Sequence, residues 1–296
     1  MQNTFILALL FTLTAHAQTP DYSRLWRRSN VSTTWKAGLA PQAHFVLGLM
    51  DRLGVERLEI ENARVYATGD QNLLMQALDV YIPAARTSPH YHPVKNEINL
   101  MYYFESAPRV GSAEDYAIAL HELCHGLFDT YINRRLAGDN TLSVGQKEDI
   151  HRRVAGFNEF FADQCAVYQA GDPRIITKAV AELTNPTLIA RMARSFGNML
   201  AARRNETLPL SRIRDSVGPY PDVSAMPELN SHYWFPESRR LLWTQNPAGN
   251  LSQRYEVLEN LLEIGWRIYQ FEAEKPDNDG PRMTHHRYDE WLGTQL

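Results

Sequence analysis

The segment Ala119-Leu120-His121-Glu122-Leu123-Cys124-His125-Gly126 sets two imidazoles four residues apart, with a carboxylate between them. On an α-helix, positions i and i+4 differ by about 40° in direction and one turn in rise, so His121 and His125 point at a common spot. Two imidazoles so placed are two of the three protein ligands that a catalytic zinc ion takes. Glu122 stands about 100° round the helix. There it lies beside such an ion without ligating it and can take a proton from bound water. His-Glu-x-x-His on a helix therefore points to metal-assisted hydrolysis. The competing reading is a surface helix with incidental histidines. The apolar neighbours Ala117, Ile118, Leu120 and Leu123 argue instead for a site turned into the core.

A third ligand must come from elsewhere in the chain. Downstream stands Phe157-Asn158-Glu159-Phe160-Phe161-Ala162-Asp163-Gln164. Glu159 and Asp163 are again i and i+4, on one face of a second helix. A carboxylate at the first position can ligate zinc, and one at the second can accept the free ring N–H of a ligand histidine. Glu159 sits among aromatic residues, and a buried carboxylate needs a partner such as a metal ion. His151 is the other candidate for the third ligand.

Taken together, the two motifs resemble those of the gluzincin metallopeptidases, over residues 111–170, about a fifth of the chain. Carried across residue by residue, the resemblance implies that His121, His125 and Glu159 ligate zinc. It implies Glu122 as general base and Asp163 as the residue that holds His121. With it come a zincin-like fold, one Zn2+, and hydrolysis of peptide bonds in a peptide or protein substrate. Gluzincins often use a later His or Tyr to stabilise the oxyanion. Here the candidates are Tyr233 and His232, in Asn230-Ser231-His232-Tyr233-Trp234-Phe235. An edge strand over residues 99–104 is the candidate for aligning the substrate backbone. The alternative function is a zinc-holding fold that acts as a non-catalytic binding module.

These groups need helices and a strand to position them. Ser112 as N-cap with Asp115 three residues on predicts a helix from there to about Leu136. A second helix follows Ser143, with Gln146 in the capping-box position, and ends at Gly171-Asp172-Pro173; Gly156 could divide it. Before them, a helix over 36–53 interrupted at Pro41, short strands at 58–61 and 65–68, a helix at 71–79 and a strand at 97–104 are expected. Pro89-His90-Tyr91-His92-Pro93 reads as a loop or the start of a strand, its histidines solvated. More helices are expected at 174–184, 186–204, 251–273 and 285–293, with an extended proline-rich loop at 207–236. The fold class is thus α+β: a strand-containing part, 18–110, and a mainly helical part, 111–296, of one domain.

The 296 residues suit one large domain with a substantial core. Apolar residues make up 44% and charged residues 22%, so disorder is not expected. A net charge of -4 gives no basic excess for nucleic acid. Residues 1–17 carry no charged side chain, and Phe5 to Leu13 is an apolar run followed by Ala15-His16-Ala17. That pattern reads as a cleaved signal peptide, so the mature chain is expected to be exported, periplasmic or secreted, with no membrane span. The two cysteines, Cys124 and Cys165, read as small buried hydrophobes, with a disulfide permitted by export.

Overall fold

The computed structural model describes residues 19–67, 90–93, 95–102, 112–136, 142–182, 235–274 and 285–296. Among them, one small mixed sheet lies beside a mainly helical body, giving an α+β fold. No described helix is long and apolar enough to cross a membrane.

The first helix, α1 (Thr33–Arg52), begins earlier than expected because Ser32 caps it, accepting a hydrogen bond from the Trp35 backbone. Pro41 lies inside this helix without breaking it. A proline there removes one ladder donor. In the preceding turn, the Lys36 carbonyl accepts a bond from the Tyr22 hydroxyl. Burial of Trp35, Leu39, Ala43, Val46, Leu49 and Met50 in the core holds the helix together across the proline.

The strands are β1 (Arg28–Ser29), β2 (Asn62–Ala67), β3 (His90–His92) and β4 (Glu97–Tyr102). Their order across the sheet is β1-β2-β4-β3. The first three in that order run parallel, and β3 runs antiparallel to β4. Residues 58–61, expected as a strand, lead into β2 instead; Ile60 still drops into the core. The edge strand expected over 99–104 is described only to Tyr102, and from Leu100 on it pairs with β2 alone among the described residues. Over Glu97–Asn99, β4 has partners on both sides, and β3 is the outer strand. The prolines at 89 and 93 hide β3 in the sequence. The chain reverses at Lys95 and Asn96, the latter at φ 48, and folds 90–92 back along β4.

Two long helices follow as expected: α2 (Ala113–Leu136) and α3 (Val144–Ala170). Ser112 and Asp115 exchange bonds at the start of α2. Ser143 and Gln146 form the capping box of α3. Gly171, at φ 64, closes α3 in the left-handed conformation that glycine adopts without strain. Gly156 leaves α3 undivided. Then come α4 (Ile175–Glu182), α5 (Pro236–Gln245), α6 (Leu251–Ala273) and α7 (His285–Gln295). Helix α5 is not foreseen by the sequence reading, and α7 runs two residues past the expected stretch. The elements expected at 71–79, 186–204 and most of 207–236 lie outside the described residues.

Helices α2 and α3 pack side by side, with α1 and α6 against them. Phe128 of α2 meets Phe157 and Phe161 of α3. Gly265 of α6 faces that cluster so closely that a Cβ would stand 2.7 Å from Phe128 and 2.9 Å from Phe157. On the other side, Gly126 lets α2 press onto the segment before β2: a Cβ there would stand 2.6 Å from Ile60. Glycine at 126, directly after His125, thus seats the helix that carries both histidines.

Candidate metal centre

The i, i+4 spacing on α2 brings the two imidazoles together. Nε2 of His121 and Nε2 of His125 lie 3.0 Å apart, and the rings meet edge to face at 88°. Both side chains are buried, as is Glu122, whose carboxylate shares their neighbourhood. The three form a group that can bind a metal ion.

Helix α3 supplies the next layer. Glu159 sets its two carboxylate oxygens 3.4 Å from Nε2 of His121 and 3.7 Å from Nε2 of His125. One turn on, Asp163 places Oδ1 2.9 Å from Nδ1 of His121. The predicted face of α3 therefore does converge on the predicted pair of α2. His151 does not join them; its ring lies edge-on to Tyr269 of α6.

Three further residues complete the surroundings, and sequence reasoning gave none of them a role. Asn158 donates its amide to Asp129 at 3.2 Å and turns its oxygen to Nδ1 of His125 at 2.9 Å. Asp129 follows His125 by one helical turn, so His121, His125 and Asp129 share a face. That i, i+4, i+8 spacing was a usable signal. Arg239 of α5 reaches Asp163 at 2.6 Å, with both side chains buried, and lies over the ring of Phe160. Nothing local in the sequence joins Arg239 to Asp163; tertiary packing alone brings them together.

These contacts favour a proton on Nδ1 of each ring. A carboxylate 2.9 Å from Nδ1 of His121 calls for a proton on that nitrogen. The oxygen of Asn158 does the same for His125. Each neutral ring then directs the lone pair of Nε2 inward. Two nitrogen lone pairs and a carboxylate thus face one another in a mostly enclosed space. Such an arrangement demands a positive charge at its centre. In the metal-free chain a proton takes that place. Burial opposes charging His121, but bonds to Asp163 and Glu159 outweigh it and push its pKa up to about 10. The neighbouring His125 is lowered, first by burial. Asp129 is pushed up to about 6, chiefly by burial.

A divalent cation fits the same donor set. Two zinc–nitrogen bonds at a tetrahedral angle put the nitrogens roughly 3.3 Å apart, close to the observed separation. The carboxylate beneath both rings is the type of donor that completes such a set.

Cys124 and Cys165 lie behind this face, both buried and both free, their thiols in hydrogen-bond contact between α2 and α3. They fill space as small hydrophobes. His92 accepts a backbone bond from Lys95 at the turn after β3. Tyr233 and His232, the oxyanion candidates, lie outside the described residues. Known protein families, curated proteins and solved structures all fail to yield a match to this chain.

Proposed function

We propose that the protein is an exported zinc metallopeptidase of zincin-like fold, with His121, His125 and Glu159 as ligands. One observation carries this reading. Two inward-facing imidazole nitrogens 3.0 Å apart are approached by a partly buried carboxylate from the neighbouring helix. Imidazole nitrogens and a carboxylate that converge in a mostly enclosed space favour a bound cation.

When bound, zinc polarises a water molecule and the scissile carbonyl. Glu122 adjoins the two histidines, where a general base would stand. It accepts a proton from the attacking water and delivers it to the departing amine, so its charge is restored over a cycle. Asp163 and Asn158 each hold one ligand ring by Nδ1, leaving Nε2 as the donor. The outer strand β3 lies next to α2 and among the described residues pairs only with β4, so its other edge is the candidate place for an extended peptide. His232 and Tyr233 remain the candidates for oxyanion stabilisation.

The test is the Glu122→Gln variant, assayed on a denatured proteome with peptide products read by mass spectrometry. Zinc retained at one equivalent with turnover lost by 10²-fold or more supports the peptidase. Turnover equal to wild type overturns the role of Glu122. Zinc bound by a wild-type chain that cleaves nothing turns the reading towards a binding module.

A further inference from the structure

Tyr91 occupies the middle of β3 and touches the metal centre from outside both site helices. Its ring lies almost parallel to that of His125, with 14° between the planes and 6.4 Å between centroids. Its hydroxyl donates to Oδ1 of Asn96 at 2.9 Å and is in hydrogen-bond reach of Asp129. Asn96 is the residue at φ 48 in the turn between β3 and β4. Asparagine tolerates that left-handed backbone better than most residues, and the turn returns its side chain to Tyr91.

The contacts close a ring. Tyr91 meets Asp129, Asp129 accepts from Asn158, and Asn158 holds Nδ1 of His125. His125 then stacks back on Tyr91. Two sides of one imidazole are thereby fixed, its Nδ1 edge by Asn158 and its plane by the near-parallel Tyr91 ring. His121 has a different arrangement, with charged Asp163 and Arg239 behind it. The strand and the second histidine are therefore one mechanical unit. Moving β3 moves the ring that His125 leans on.

We propose that Tyr91 is a positioning residue, which orients His125 for the metal and sets the distance of β3 from it. The inference rests on His125 being a metal ligand, as proposed above. It adds that alignment of a peptide along β3 and ligation of the metal are coupled through one side chain. An aromatic residue that merely fills space would affect stability alone.

The test uses the full chain with Tyr91→Phe and Tyr91→Leu. Zinc affinity is measured by competition with a chromophoric chelator, and the visible spectrum is recorded after cobalt(II) substitution. Tyr91→Leu takes the ring from His125 and should weaken zinc on the order of tenfold, with altered cobalt bands. Tyr91→Phe keeps the ring and frees the strand, so zinc affinity should stay within a few-fold. Its KM for extended peptides should rise more than its kcat falls. A folded Tyr91→Leu protein with wild-type zinc affinity and cobalt spectrum overturns the proposal. Should that variant fail to fold, Tyr91→Phe decides, and an unchanged KM and kcat overturn it. If wild type binds zinc but cleaves no peptide, the peptidase reading fails. The metal measurements on Tyr91→Leu then still decide the positioning role.

Discussion

Arg239 and Asp163 form an ion pair at 2.6 Å, with both side chains withdrawn from solvent. Asp163 spends its other oxygen on His121, so the pair connects helix α5 to the candidate metal centre. Breaking a buried pair from one side leaves the other charge uncompensated. Arg239→Leu should therefore lose about 3–5 kcal/mol of stability, read from denaturant midpoints. Asp163 would then lean harder on His121. A variant of unchanged midpoint would show that the pair carries no such charge.

The close approach at Gly126 gives a second expectation. A Cβ there meets Ile60 at 2.6 Å, inside any normal contact. Gly126→Ala should cost about 1–3 kcal/mol by overpacking and tilt the helix turn that bears His125. Trimming the neighbour should relieve it. In a double-mutant cycle, Gly126→Ala combined with Ile60→Ala should cost less than the two single changes added together. Strict additivity would place the strain elsewhere.

The contrast between Asp129 and Arg239 shows how far the sequence could be read. The site helices, their caps and the convergence of Glu159 on the histidines follow from local spacing, because i, i+4 geometry is fixed once a helix forms. Asp129 obeys the same spacing and was legible in principle. Arg239 was not, since it arrives on a helix whose position depends on the whole core. The same division separates the strands. β4 shows an apolar run, whereas β3 has only three residues between prolines and exists because β4 is there to pair with it.

Partial burial of His151 predicts a pH dependence of stability. Its ring packs against Tyr269, and burial lowers its pKa from the ordinary value. The unfolded chain binds the proton at about pH 6.5, the folded chain only at lower pH. Between those two values the unfolded state holds more protons, so stability rises with pH. It is complete above the ordinary histidine value and falls as pH drops towards the folded one. His151→Phe should flatten that part of the profile, measured by denaturant unfolding from pH 7.5 down to 5. An equally steep profile in the variant would assign the slope to other groups.

Metal removal should act on the fold as well as on activity. The candidate centre joins α2 to α3, and without a metal the carboxylates of Asp163 and Glu159 favour a proton on His121. Zinc that binds the folded chain alone stabilises it by mass action, about 2.7 kcal/mol when free zinc is 100-fold above Kd. Chelation should thus lower Tm, and the fall should be recovered by added zinc in a concentration-dependent way. The same titration on Glu159→Gln separates the proposed ligand from a bystander. Replacing a ligand carboxylate by an amide should shrink the zinc-dependent rise in Tm, while the chelated variant melts somewhat below the chelated wild type, because protonated His121 loses one of its carboxylate partners. A full zinc-dependent rise in Glu159→Gln would remove Glu159 from the ligand set and leave the two histidines to find their third donor elsewhere.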